Sequence, residues 1–341
     1  MTEKIPLVSV IIPMYNAEKF ISQTLESLLC QTLKNFEIIV VDDCSTDNSV
    51  EVVENFMEKF AAVGIRLHLI ELQKNSGTPG LPRNIGIQFA CGEYVAFLDS
   101  DDFLTETALE ELAMLAEENQ ADVVHTDTFF MLNENDELEI CKSQKLPLPP
   151  APTFETEDIA QRVVNWISRG YNWESVTMFC RRIFLVGNQI TFSKLLTYED
   201  MIFSFSILCW AKKFLRVPNV TYVYRQRADS VSRTQFPELS DAFHKWLRVL
   251  NDGLNEFAKV MASVKFFADN PDYRYAVSNF FFEEVSKIFT PLYADNQDFM
   301  FDALIKKKFH AEDAELISQL FNMINVQRLT IAQLQKIIGK E

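Results

Sequence analysis

Asp99-Ser100-Asp101-Asp102 follows a short apolar run, Tyr94 to Leu98, and carries the clearest chemical signal in the chain. In extended backbone, residues two apart face the same way, so Asp99 and Asp101 converge. Two carboxylates about 4 Å apart repel by roughly 4 kcal/mol at an effective dielectric of 20. A bound Mg²⁺ or Mn²⁺ removes that repulsion. Such hard cations take one or two carboxylates plus substrate phosphates rather than a full protein cage. The competing reading is that Asp101 or Asp102 caps the next helix. Four polar residues in a row at a strand end favour the metal. Two other β-branched runs end in the same way. Leu7 to Ile12 leads into Pro13, Tyr15, Asn16 and Glu18, and Phe36 to Val41 leads into Asp42, Asp43 and Ser45.

Each remaining polar cluster has a plain reading beside a functional one. Asp42-Asp43 is either a turn former and N-cap before a helix starting near Asp47, or a buried carboxylate pair able to accept the ring N–H of a pyrimidine. Gly77 to Gly86 reads as a Gly/Pro-rich loop feeding a helix. Arg83 within it forks onto phosphate or carbonyl oxygens, or is simply salt-bridged. Tyr198-Glu199-Asp200 opens an apolar helix, where acidic residues complement the helix dipole. Asp200 is also placed to serve as a general base. Tyr222 to Arg233 includes Arg225, Arg227 and Ser230, which either close over a diphosphate or form a solvated edge strand with a polar loop. Neither G-x-x-x-x-G-K-[ST] nor G-x-G-x-x-G occurs, which argues against a P-loop and against a nicotinamide or flavin cofactor.

The elements that must hold these residues alternate. Buried strands are predicted at Leu7–Ile12, Phe36–Val41, Ile65–Leu69, Tyr94–Leu98 and Asp122–His125. Helices are predicted at Ala17–Gln31, Asp47–Phe60 and Leu81–Ala90, with another opened by a capping box at Thr107-x-x-Glu110. Such alternation implies α/β architecture, a doubly wound, mostly parallel sheet. Ligands of such sheets bind outside the carboxyl ends of the strands. A Pro-rich connector, Leu146 to Pro152, breaks the pattern. Beyond it, Thr156–Ser168 and Tyr198–Lys212 look helical, while Val176–Arg181 and Val220–Tyr224 look strand-like. From about Leu239 onward the pattern is helical.

The chain has 341 residues, of which 48% are hydrophobic, enough for a sizeable core. Its net charge of −16 repels nucleic acid and anionic lipid at long range. No nucleic-acid partner is expected, and a phosphate ligand would need a divalent cation beside it. The six cysteines lack metal or disulfide spacing and read as small buried apolar residues. The four histidines also lack metal spacing; His68 and His125 read as strand residues, His244 and His310 as surface. No apolar run is long enough to span a bilayer or to act as a leader, so a cytoplasmic location is expected.

Five segments in order resemble family 2 glycosyltransferases of the GT-A fold: Val8–Thr32, Phe36–Ser49, Gly80–Asp102, Tyr198–Asp200 and Tyr224–Ser232. The resemblance covers about residues 5 to 235. It implies a catalytic domain over 1–235, with a nucleotide half over about 1–125 and an acceptor half over about 126–235. A helical region over 236–341 follows. Pro13, Tyr15, Asn16 and Glu18 would line the nucleotide pocket. Asp43 would bind the base, usually uracil, with Asp42 supporting the turn and Arg83 reaching the nucleotide. Asp99 and Ser100 would lie near the donor. Asp101, with Asp99, would hold Mn²⁺ or Mg²⁺, and Asp200 would deprotonate the acceptor. The implied reaction is an inverting single displacement from a UDP-sugar to a glycan or lipid-linked acceptor, in cell-surface polysaccharide synthesis. Pro82 stands where the family often has a small residue, and the Q-x-x-R-W signature of processive synthases is missing, which argues for transfer of one sugar.

Two other functions compete. A sugar nucleotidyltransferase would need a Gly-rich basic loop where Tyr15-Asn16-Ala17-Glu18 stands. A non-catalytic nucleotide-sugar-binding or assembly partner would tolerate loss of Asp101 or Asp200, and both are present. The C-terminal aromatic faces (Trp246, Phe280, Phe281, Phe282, Phe289, Phe321) admit packing or homo-oligomerisation. With Lys306 to Lys308 they also admit peripheral contact with the inner face of the plasma membrane. The abundant acids in the same region favour the first.

Overall fold

The β-branched runs of the first third form the inner strands of one sheet. The computed structural model describes residues 5–133, 137–141, 148–168, 172–226 and 239–286. In chain order the elements begin β1 (Val8–Met14), α1 (Ile21–Leu29), β2 (Phe36–Asp42), α2 (Ser49–Ala62), β3 (Arg66–Glu71), α3 (Gly80–Phe89) and β4 (Tyr94–Phe97). They continue with β5 (Phe103–Leu104), α4 (Ala108–Asn119), β6 (Val123–Thr126), β7 (Phe130–Leu132), β8 (Leu138–Ile140), β9 (Thr153–Phe154) and α5 (Ile159–Ile167). A 3₁₀ turn (Ser175–Thr177) precedes β10 (Met178–Arg181), α6 (Arg182–Gly187), α7 (Glu199–Trp210), β11 (Phe214–Val217) and β12 (Tyr222–Arg225). Three helices close the described chain, α8 (Leu239–Ser263), α9 (Lys265–Asp269) and α10 (Pro271–Ser286).

The main sheet runs β3-β2-β1-β4-β10-β6-β11-β9. Strands β1 to β4 pair in parallel, as do β6 and β11, while β10 runs against both β4 and β6. Every residue of β1 and β2 is buried, which explains their unbroken apolar runs. β3, at the edge, alternates between exposed and half-buried. Helix α3 lies so close to β1 that a Cβ on Gly86 would come within 2.3 Å of Ile11 Cγ2. Only glycine fits this approach, which fixes the height of α3, and of Arg83 on it, over the sheet. Pro82 falls in the first turn of α3, where its missing N–H has no intrahelical partner to lose.

Some expectations fail for local reasons. The capping box does not form: Thr107 Oγ1 donates to Glu111 and Glu110 accepts from Thr32, so α4 begins without a side-chain cap. Asp101 and Asp102 cap no helix, since β5 intervenes before α4. β12 is not an edge strand. It sits between β5 and β7 in a second, four-stranded sheet ordered β5-β12-β7-β8. The cysteines are not uniformly interior: Cys180 and Cys209 are buried, whereas Cys30 and Cys91 are exposed.

Two compact units can be distinguished, Met1–Arg233 with Asp252–Phe280, and Thr234–Asn251 with Phe281–Glu341. In the first, Trp166 of α5 gathers Phe205, Phe257 and Phe280 at 5.0, 5.8 and 4.9 Å between ring centroids. Phe280 is thereby an interior residue. In the second, Trp246 and Phe282 pack edge to face at 6.2 Å. Phe289, Phe321, Lys306 to Lys308 and His310 lie outside the described residues. Among the described residues no helix is long and apolar enough to cross a membrane.

Candidate active site

The carboxyl ends of β1, β2 and β4 converge on one rim, and the polar residues there fall into two sets. The first set, at β1 and β2, is closely hydrogen-bonded. Asn16 adopts a left-handed backbone (φ 49°), its N–H donating to Ser45 Oγ at 2.9 Å and its Oδ1 accepting from the Thr46 N–H at 2.8 Å. Glu18 accepts from the N–H and side-chain amide of Asn48 at 3.2 and 3.1 Å. Asp42 Oδ2 accepts from the Ser45 N–H at 3.0 Å, which is the turn-forming role; its Oδ1 is buried without a partner. Asp43 does not cap α2. It reaches across to β3's following loop and accepts from the N–H and Oγ of Ser76, both at 2.9 Å. Pro13 is buried within β1 and Tyr15 is exposed beside it.

The second set surrounds Arg83, whose side chain is 3% exposed. Its guanidinium donates to Asp99 Oδ1 at 2.7 Å, to Asp200 Oδ1 at 3.0 Å and to Glu199 Oε1 at 3.5 Å. Burial alone would lower an arginine's proton affinity. The charges of Asp200, Asp99 and Glu199 reverse that and hold Arg83 firmly protonated. One side chain on α3 thus ties the end of β4 to the N-terminus of α7, so Asp99 and Asp200, about a hundred residues apart in sequence, share a partner. Helix α7 is also held at its far end: Arg162 donates to the carbonyls of Leu208 at 3.0 Å and Ala211 at 2.5 Å.

Asp102 is fully enclosed. It accepts from Tyr222 Oη at 2.5 Å and from the Arg225 N–H at 2.8 Å. Burial, then the charges of Asp101 and Asp99, push it well above the usual carboxylate range. Ser100 is half-buried, and its carbonyl accepts from Thr24 Oγ1 at 3.0 Å. Arg225 donates from Nε to the Asp101 carbonyl at 3.0 Å and also bonds Gln23 on α1. It therefore braces the Asp99–Asp102 loop from above. Arg227 and Ser230 lie outside the described residues.

Between these walls lies a cavity of about 330 Å³ lined by Asp99, Asp102, Glu174, Asp200, Tyr222 and Tyr224, with Phe129, Met131 and Val176 completing it. Burial drives Asp200 above the usual aspartate range; Arg83 partly offsets this, and Asp99 adds to it. Glu199 is raised to about 7, by burial first and then by Asp200, against the pull of Arg83. Glu174 is likewise raised to about 7, chiefly by burial. The segment carrying Glu174 is anchored by His125 of β6, whose Nε2 donates to the Asn172 carbonyl at 2.8 Å. The other ring nitrogen meets Asp127 Oδ1 at 2.8 Å, and Asp127 in turn pairs with Arg216. Glu174 and Phe129 carry no motif signal, because they sit on short or irregular segments that show no period.

The strand-end carboxylates fit a divalent cation in one specific respect. Among the described residues no three His, Cys, Asp or Glu groups converge into a cage. Burial first, and then the charges of Asp101 and Asp99, raise Asp102. A cation completed by ligand phosphates relieves such crowding without a protein cage.

Fold and site together place the chain in the GT-A class of nucleotide-sugar transferases. The family model described as glycosyl transferase family 2 matches residues 9–167. Glycosyltransferase GlyG of Streptococcus pneumoniae serotype 4 is 32% identical over 235 residues, 67% of this chain and 74% of that protein. Poly(ribitol-phosphate) beta-N-acetylglucosaminyltransferase TarS of Staphylococcus aureus is 30% identical over 259 residues, 74% of this chain but only 42% of the relative. The crystal structure of TarS residues 1–349 with UDP-GlcNAc aligns at a TM-score of 0.57 and 28% identity, over 73% of this chain and 66% of that one. The chain belongs to glycosyl transferase family 2.

Proposed function

We propose that the protein transfers one sugar from a UDP-sugar to an acceptor hydroxyl, with inversion at the anomeric carbon, in the synthesis of a cell-surface glycan. The observation that carries this reading is the shared cavity: the carboxylates at the end of β4 and Asp200 at the start of α7 line the same 330 Å³ space. The likeness to a solved UDP-GlcNAc complex supports a uridine donor. Asp43 would take the base N–H at the floor of the first set. Arg83 and Asp99 would orient the donor at the mouth of the second.

The acceptor oxygen attacks the anomeric carbon as the bond from that carbon to the β-phosphate oxygen breaks. The electron pair leaves with UDP, and Asp200 takes the acceptor's proton. A raised proton affinity suits a carboxylate to that role, since a base works best when its pKa lies nearer the operating pH. Asp101 and Asp99 would hold Mn²⁺ or Mg²⁺, which as a Lewis acid stabilises charge on the departing diphosphate. An Asp200→Asn variant should bind donor as the parent does and lose UDP release by about 10²–10⁴-fold, the range for a general base. Turnover near the parent level would remove Asp200 from that role. In Asp101→Ala the increment in UDP affinity given by Mn²⁺ should vanish; an undiminished increment would remove Asp101 from the metal site.

A further inference from the structure

Glu174 takes no part in the chemistry above, yet it lines the reaction cavity. Its Oε2 is buried and meets no hydrogen-bond partner. The other carboxyls lining that space are Asp99, Asp102 and Asp200. A carboxyl oxygen withdrawn from water with nothing to accept from is costly. Part of the half-buried Glu174 side chain remains open to the cavity, where a ligand can supply a donor.

The lining states which ligand that is. Phe129, Met131, Val176, Tyr222 and Tyr224 give an apolar side to the cavity. Asp99, Asp102, Glu174 and Asp200 give a side made of acceptors. A pyranose ring matches both: its C–H faces pack on aromatic rings, and its hydroxyls donate to carboxylates. A volume of about 330 Å³ sits at the small end of ligand pockets, roughly 300–1,000 Å³. It admits a sugar ring but not a nucleotide beside it. The same acidic wall works against a sugar bearing its own carboxylate. Carboxylates brought together in so small a space repel.

We propose that Glu174 is a specificity-determining residue: it accepts a hydrogen bond from a hydroxyl of the transferred sugar, and it restricts the donor to neutral sugars. This rests on the UDP-sugar reading above. Burial raises the Glu174 carboxyl to about 7, so the titrations are made at pH 8, where it is charged. Its anchoring through Asn172 to His125 holds it in place for that contact.

The test is calorimetric titration with Mn²⁺ of UDP, UDP-glucose, UDP-galactose, UDP-GlcNAc and UDP-glucuronic acid, on the parent protein and on Glu174→Ala and Glu174→Gln. In the parent, the best neutral donor should bind at least tenfold tighter than UDP-glucuronic acid. In Glu174→Ala the best neutral donor should weaken five- to twentyfold, while UDP itself changes less than twofold. Glu174→Gln keeps the shape without the charge, so it remains folded even if the alanine variant does not. In it the neutral-over-glucuronate preference should shrink at least threefold. Parent binding of UDP-glucuronic acid as tight as that of the neutral donors would overturn the proposal, as would an unchanged donor-to-UDP ratio in both variants. Failure of the parent to bind any uridine nucleotide would overturn the donor reading itself and this inference with it. The two failures are therefore distinguishable.

Discussion

The two sets of polar residues on the rim differ in how their charges are settled. At the ends of β1 and β2, carboxylates are answered locally: Asp43 by Ser76, Glu18 by Asn48, and one oxygen of Asp42 by Ser45. At the end of β4 and the start of α7, four carboxylates crowd one cavity and two of them share a single guanidinium. In the first region the polar groups are held by one another before any ligand arrives. In the second, burial first and then neighbouring carboxylates push the acids upward. Raised acids belong where protons move or where a cation and a ligand complete the charge balance.

The sharpest way to break this contrast is to remove the charge that holds the second region together. Arg83→Met leaves Asp99, Glu199 and Asp200 without their common partner. Loss of one side of a buried ionic cluster typically costs about 3–5 kcal/mol, and a loss of that size is expected in urea unfolding. Arg83→Lys should recover only part of it, because a lysine ammonium cannot fork onto two carboxylates. A variant as stable as the parent would show that the cluster is not held by Arg83.

A smaller and more selective effect is expected in the first region. Asp43→Ala should weaken UDP by about 10- to 100-fold, the range for a hydrogen bond to a charged group. It should leave stability nearly unchanged, since Ser76 regains water. If UDP affinity stays within twofold, the base is not read at Asp43.

The third effect is a pH dependence confined to the second region. Glu174 and Glu199 are raised from an ordinary 4.5 to about 7. Between those values the folded protein holds protons that the unfolded chain has released, so stability falls as pH rises through this window. Each group contributes at most about 1.4 kcal/mol per pH unit. Asp127 acts in the opposite sense and only in acid. Despite its burial, hydrogen bonds from His125 and Arg216 hold it below 3.8. Urea unfolding between pH 5 and 7 should show the decline, with a shallower slope in Glu174→Gln. A flat parent profile would contradict the assignment of stored charge to this cavity.

The same contrast governs what could be read from sequence. The long β-branched runs of β1 and β2 are buried on both faces, so their ends, and the residues just beyond them, were visible from composition alone. Asp99 to Asp102 stood out for the same reason. The far wall of the cavity was not legible. Its strands are two to four residues long, too short to show a period, and β10 enters the sheet reversed between β4 and β6. An edge strand stays one of two readings for Tyr222 to Arg233, because nothing in a four-residue strand announces neighbours on both sides. The capping box failed because Thr107 and Glu110 each found another partner, a choice made by tertiary packing.

The most direct test of the account is a calorimetric titration of UDP, GDP, CDP and TDP, each with and without Mn²⁺. Tight binding of UDP that depends on Mn²⁺, with the other three at least tenfold weaker, is the result predicted by a base-reading receptor beside a cation-seeking carboxylate cluster. Equal binding of all four, or binding indifferent to the cation, would contradict it.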